Sequence, residues 1–274
     1  MVGIPPQEIC DTVTDIIREA GVIIKNAHNV DSADDIEVKP GTANFVTVFD
    51  VKVQDFLISR LTALFPGAHF LSEEKENRAS DTESGLCFVI DPIDGTTNFI
   101  HDMRASSISV GMLHDGIPVF GAVYDPYTGS LYSARRGHGA FLGDSPIRCS
   151  ERSLSAGLVM IGTSPYYRDT WGHATFQLAE ELFQHCADVR RGGSAALDIC
   201  SVACGRAEAF YEFRLSPWDY CAGALILSEA GGFAGTMAGS PLGYGDGSSV
   251  LCTNAASRDE VLALTKKYAD LLEG

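Results

Sequence analysis

Paired cysteine motifs, long apolar runs and excess positive charge are all missing from this chain, and each absence excludes a class of protein. The eight cysteines, Cys10, Cys87, Cys149, Cys186, Cys200, Cys204, Cys221 and Cys252, never form a Cys-x-x-Cys pair. Most sit inside apolar runs, which reads as buried thiols of a reducing compartment rather than a disulfide framework. Cys200 and Cys204 lie one helical turn apart and make a candidate zinc grouping with His185, but no second ligand pair has zinc spacing. No apolar run reaches bilayer-spanning length and no signal-peptide pattern opens the chain, so the expected setting is cytoplasmic, with no membrane partner. Twenty Lys and Arg against 36 Asp and Glu leave a net charge of −16. That charge argues against direct nucleic-acid contact and against anionic membranes. It also sets a requirement. An acidic protein that holds an anionic substrate needs local positive charge, and bound divalent cations supply it.

What is present is an ordinary globular composition, 45% hydrophobic and 20% charged over 274 residues. Such a chain forms one large domain or two intimate ones. It is organised around the stretch from Leu86 to Phe99. An apolar run reads as a buried strand, Asp91 and Asp94 follow with Pro92 between them, and Gly95-Thr96-Thr97 reads as a turn into a helix start. Hard cations want clustered carboxylates, and phosphates want the free N–H groups of a helix N-terminus. Both within a few residues point to metal-assisted phosphoryl chemistry. A bare Asp-x-x-Asp is more often a turn aspartate and a cap. The full string is far more specific: Asp91-Pro92-Ile93-Asp94-Gly95-Thr96-Thr97-Asn98-Phe99 closely resembles the signature of the inositol monophosphatase family.

Four further motifs extend that resemblance across nearly the whole chain. Val46-Thr47-x-x-Asp50 is one; Asp50 alone reads as a helix N-cap, and the resemblance adds a hydrogen bond to Thr96 that helps activate water. Glu73-Glu74 is similar to a Gly-Glu-Glu motif in which the first glutamate is a metal ligand, with Ser72 here in place of the glycine. Gly193-Ser194-Ala195-Ala196-Leu197-Asp198 resembles a helix start beside the substrate, and Trp218-Asp219 leads into Glu229-Ala230-Gly231-Gly232. The resemblance implies a layered α-β-α-β-α sandwich of α+β or α/β class. Residues 1–145 form helices on an antiparallel sheet with most metal ligands, and residues 146–274 an α/β half with Asp219. It implies two or three Mg²⁺ held by Glu73, Asp91, the Ile93 carbonyl, Asp94 and Asp219. Glu73, Thr96 and Asp50 are the catalytic set, and Gly95 and Thr96 the phosphate cradle. Asp94, Gly193, Ser194, Ala195, Glu212 and Asp219 are the substrate contacts. Lys39 is implied near the metals.

The expected reaction is hydrolysis of a small-molecule phosphate ester, most of all myo-inositol 1-phosphate, without a phosphoenzyme. Haloacid-dehalogenase-type phosphatases use Asp-x-Asp with a nucleophilic first aspartate, and the spacing here differs. Fructose-1,6-bisphosphatase is the nearest alternative; its second phosphate needs a basic site, with Arg168, Arg190 and Arg191 as candidates. A different class also stays open, since some family members bind the transcription or translation machinery. Relatives are commonly homodimers.

The rest of the chain reads as scaffold. Ile9, Val13, Ile16, Ile17, Ala20, Ile23 and Ala27 recur at helical spacing between Pro5 and His28. Residues 31–43 read as a polar loop. Asp115-Gly116 marks a hairpin between strands Ser106–Leu113 and Ile117–Tyr124. Ser194 is the expected cap of a helix to Cys204. Ser257 with Glu260 reads as a capping box for a last helix that buries Val261, Leu264, Tyr268 and Leu271.

Overall fold

The computed structural model describes residues 3–27, 36–38, 45–75 and 77–268. Lys39, most of the 31–43 segment and Leu271 lie outside the described residues. The first helical stripe forms α1 (Gln7–Lys25), whose Val13, Ile16, Ile17, Ala20 and Ile24 are buried. Within the segment read as loop, β1 (Ile36–Val38) pairs antiparallel with β2 (Phe45–Thr47), and α2 (Val48–Leu64) follows at once. Asp50 does not cap α2. Thr47, still extended at the end of β2, does so by accepting from the Phe49 N–H at 3.1 Å. Asp50, in the first turn, accepts from the Thr47 N–H at 2.8 Å and closes a capping box.

The first sheet runs in sequence order through seven strands. They are β3 (His69–Ser72), β4 (Leu86–Asp94), β5 (Ser107–His114), β6 (Ile117–Asp125), β7 (Ser130–Arg135), β8 (Ala140–Leu142) and β9 (Ser145–Ile147), with α3 (Thr96–Ile100) between β4 and β5. Only the β3–β4 pair is parallel. The Asp-Gly signal makes the β5–β6 hairpin: φ is +51° at Asp115 and +75° at Gly116, the twist that matches a right-handed ribbon.

The second half alternates β10 (Leu158–Ile161), α4 (Arg168–Phe183), β11 (Asp188–Arg190), α5 (Ala195–Ala203), β12 (Ala209–Leu215), α6 (Pro217–Glu229), β13 (Phe233–Gly235), β14 (Ser248–Thr253) and α7 (Arg258–Thr265). Its five strands lie in the order β11-β10-β12-β14-β13. Three apolar clusters stack the layers. Ile17 and Leu57 of α1 and α2 pack with Phe88 and Val110 of the first sheet. Ile199 and Ile226 of α5 and α6 pack between Val123 and Tyr132 of the first sheet and Phe210 and Val250 of the second. Leu178 and Val261 of α4 and α7 cover Tyr211 and Phe213 on the outer face. The result is the α-β-α-β-α sandwich. Helix α6 is buried on nearly every side, which accounts for its all-round apolar sequence.

The Ser257–Glu260 capping box does not form. Ser257 is already helical in φ and ψ, and its N–H donates to Asn254 Oδ1 at 2.8 Å instead. No described helix is long and apolar enough to cross a membrane.

Candidate active site

Strand β4 carries its two aspartates out of the core at its C-terminal end, and Pro92 decides how. Proline cannot donate to the ladder. The pairing with β5 shifts register between Asp91 and Asp94, and both carboxylates remain buried, at 1% and 5% exposure. The Ile93 N–H donates to Asp91 Oδ1 at 3.0 Å. At Gly95, with φ +91°, the chain turns into α3. A Cβ there would stand 2.8 Å from the Gly193 carbonyl, so only glycine lets the start of α3 approach the 192–194 turn.

Asp94 is fastened to the start of α5. The Ala195 N–H donates to Oδ1 at 3.1 Å and the Ala196 N–H to Oδ2 at 2.9 Å, and the hydroxyls of Ser194 and Ser107 donate to Oδ2 as well. A carboxylate at a helix N-terminus satisfies N–H groups that lack an intrahelical partner. Ser194 also caps α5 through the Leu197 N–H. Gly193 and Ala195 line the cleft, while the Ser194 hydroxyl is committed to Asp94.

Asp219 arrives from the first turn of α6. The Ser216 N–H donates to its Oδ2 at 2.7 Å, and Ser109 Oγ seats the helix on β5 by donating to the Trp218 carbonyl at 3.1 Å. Asp91, Asp94 and Asp219 thereby offer one oxygen each within 4.8 Å of one another. Glu73 lines the same cleft from the turn after β3. Gln54 holds that turn: its Oε1 accepts from the Ser72 hydroxyl and from the Glu74 N–H at 3.2 Å. Asn77 clasps the Ser72 backbone on both sides. Serine in place of glycine is thus used, with its hydroxyl buried in a bond.

Burial, and then the charges of Glu73, Asp94 and Asp219, raises Asp91 well above the ordinary carboxylate range. Asp219 is raised by burial and then by Glu73 and Asp94. Burial raises Asp94 too, against the pull of its hydrogen bonds. Among the described residues, no Lys or Arg forms an ion pair with any of the three. Thr96 Oγ1 lies 3.2 Å from Asp50 Oδ1 and 3.1 Å from the Ile93 carbonyl. Burial pushes Asp50 up to about 6, opposed by its bonds from Thr47.

The cleft holds about 450 Å³ and is also lined by Tyr166, Arg191, Asp198, Glu212 and Arg214. Glu212 accepts from the Ser164 N–H at 2.6 Å. Of the basic candidates, Arg191 reaches the cleft. Arg168 instead donates to the Pro165 carbonyl and Arg190 pairs with Asp188. Sequence reasoning missed Asp198 and Arg214. Strand alternation pointed to Arg214, since residues 212 and 214 share a face of β12. The zinc grouping does not assemble: His185 Nδ1 lies against Glu260, and among the described residues the aspartate trio is the one group close enough to hold a metal.

A profile of the Inositol monophosphatase family matches residues 6–270. The chain belongs to the inositol monophosphatase family. It is a phosphatase, a hydrolase of phosphate esters. The inositol-1-monophosphatase of Bacillus subtilis (strain 168) is 33% identical over 247 residues, 90% of this chain and 92% of that one. Nus factor SuhB of Escherichia coli (strain K12) is 34% identical over 223 residues, 81% of this chain and 82% of that one. The crystal structure of inositol monophosphatase-II from Staphylococcus aureus MSSA476 matches with a TM-score of 0.84 at 31% identity, covering 97% of this chain and 99% of that one. Membership in this inositol monophosphatase family agrees with the resemblance carried by the β4 string and with the five-layer sandwich.

Proposed function

We propose that this phosphatase hydrolyses the phosphate monoester of a small polyol or sugar, with myo-inositol 1-phosphate as the leading substrate, at a divalent-metal centre on the Asp91–Asp94–Asp219 cluster. The observation that carries the reading is that cluster. Three carboxylates, Asp91 and Asp94 buried and Asp219 half-buried, converge within 4.8 Å with no protein cation paired to them among the described residues. Uncompensated buried charge of one sign is costly. A hard cation with oxygen ligands relieves it, so the donor set fits Mg²⁺. Glu73, Asp91, the Ile93 carbonyl, Asp94 and Asp219 would hold two or three ions. When bound, such ions supply Lewis acidity, a water of lowered pKa and countercharge for the leaving oxygen.

The residues of the chain have their own tasks. Thr96, donating to Asp50, keeps an oxygen lone pair free to accept a hydrogen bond from an attacking water; as that water gives up its proton to the hydroxyl, the hydroxyl passes its own to the Asp50 carboxylate, which the capping box holds at that distance. First-turn N–H groups of Gly95 and Thr96 have no partner within α3 and receive phosphate oxygens. Glu212 accepts from substrate hydroxyls. Residues 1–145 supply Glu73, Asp91 and Asp94, and residues 146–274 supply Glu212 and Asp219, so the cleft lies where the two halves meet. The name of the Bacillus subtilis relative supports the inositol ester.

The test is phosphate release from a panel of polyol, sugar and nucleotide phosphates, with Mg²⁺ and with EDTA, for wild type and Asp94→Asn. Release that needs Mg²⁺ and is lost in the variant is the expected outcome; release that persists in EDTA overturns the metal centre. The name of the Escherichia coli relative favours a second reading, in which the chain also binds the transcription machinery through protein contacts. Co-purification of a polymerase or ribosomal protein with the Asp94→Asn variant is its test.

A further inference from the structure

We infer that the protein has a second ligand site, outside the catalytic cleft and on the α1 face of the first sheet, which takes a small monocarboxylate, its carboxylate on Arg135 and its apolar body between α1 and the sheet. This goes beyond the phosphatase reading and does not depend on it. A cavity of about 540 Å³ opens between α1 and strands β6 to β8, and it shares no lining residue with the catalytic cleft. That volume falls within the range of small-molecule pockets, about 300–1,000 Å³.

Strand alternation puts the guanidinium there. Tyr132 and Ala134 of β7 pack with α5 and α6, and Leu131 packs with α1 on the opposite face. Residues 131, 133 and 135 therefore share the α1 face. Arg135 reaches the segment just before α1, where its Nη1 donates to the Pro5 carbonyl at 3.3 Å. Its Nε is buried and has no hydrogen-bond partner among the described residues. No carboxylate among them pairs with it either. A buried donor left unpaired is costly, and more so on a charged group. The acids of the pocket do not relieve it. Asp11 accepts from Gln7 Nε2 at 2.9 Å and Asp15 pairs with Arg18 at 3.0 Å, both along α1, and Asp144 is exposed.

The lining selects the ligand. Nε and Nη2 form one edge of a guanidinium, and that edge receives the two oxygens of an anion by parallel hydrogen bonds. Phe120, Leu131 and Phe141 supply apolar walls, so the anion that fits carries an apolar body. Cys10 adds to those walls, since burial pushes its thiol up to about 11 and keeps it neutral. Asp11 and Asp144 line the same pocket and repel a second negative charge. A monocarboxylate is therefore favoured over a phosphate dianion.

The experiment is isothermal titration calorimetry of 3-phenylpropionate with the full chain in EDTA, where no metal draws anions into the catalytic cleft. The neutral alcohol 3-phenylpropanol and phenyl phosphate are the comparison probes. Wild type is expected to bind the carboxylate at least about tenfold more tightly than either. Arg135→Met is expected to bind the carboxylate no better than the alcohol. Melting curves establish that the variant folds, and Arg135→Gln carries the test where it does not. Absence of carboxylate binding in wild type, or a variant that keeps the preference for the carboxylate over the alcohol, overturns the site. Tighter binding of phenyl phosphate than of the carboxylate overturns the ligand class.

Discussion

Two groups of buried carboxylates in this protein differ in what surrounds them. Glu208 is fully buried, and everything it needs is in the chain: the Ser150 hydroxyl at 2.7 Å, the Leu158 N–H at 2.6 Å and Arg152 at 2.7 Å. Asp91, Asp94 and Asp219 are gathered within 4.8 Å of one another with no such cation among the described residues. Glu208 ties β12 to the segment before β10 and has no access to the cleft. The aspartates leave their charge uncompensated where solvent and substrate arrive. The lesson is general: a buried acid neutralised inside the protein is architecture, and one left in like-charged company is a place for a ligand.

That contrast can be broken at either end. Asp91→Asn is expected to reduce Mg²⁺-dependent phosphate release by at least about 100-fold, since even an outer-shell partner of a metal ligand costs about 10–100-fold. Its melting temperature in EDTA should be equal to or above wild type, because one repelling charge is gone; a large drop would show that the cluster is held for stability. Arg152→Ala should do the reverse. It leaves Glu208 buried without its cation and should destabilise the fold by about 1.5–3 kcal/mol by denaturant unfolding, with turnover of the folded enzyme kept.

The pH response sharpens the same distinction. Asp50, Glu212 and Asp198 are pushed up to about 6, about 7 and about 8, each by burial first. A raised carboxyl binds more protons folded than unfolded, so its contribution is full below the ordinary carboxylate range and is lost as pH rises through the folded value. The metal-free protein should therefore lose melting temperature between pH 6 and pH 8, and Asp198→Asn should flatten that slope. A slope that rises with pH would contradict the arrangement. The smallest effect belongs to the exposed pair: Arg190→Ala, which breaks the exposed contacts with Asp188 and the Val189 carbonyl, should leave both the melting temperature and phosphate release unchanged.

Much of the site was legible because its parts are local. Asp91, Asp94, Gly95 and Thr96 are consecutive in effect, and a buried strand meeting a turn puts them together whatever the rest of the chain does. The stripe of α1 and the Asp115-Gly116 hairpin were legible for the same reason. Misreadings arose where two local solutions compete. Asp50 and Thr47 are both good caps, and β2, paired with β1, keeps Thr47 extended so that it takes the role. Ser257 lost its role to Asn254, whose side chain is fastened by the Ser150 and Arg152 carbonyls 102–104 residues away.

The sequence by itself determined most of the elements, the chemistry of the β4 turn and, through its motifs, the family. Spacing of one to four residues sets strand faces, helix faces and caps, and those distances are short enough to be settled by neighbours alone. Only the tertiary structure decided that Asp94 is bound by α5, a hundred residues later, that Asp219 joins it from α6, and that Arg191 and Arg214 reach the cleft while Arg168 and Arg190 do not. Those outcomes depend on how two sheets and the helices between them pack. No local pattern encodes which buried charges that packing will leave face to face.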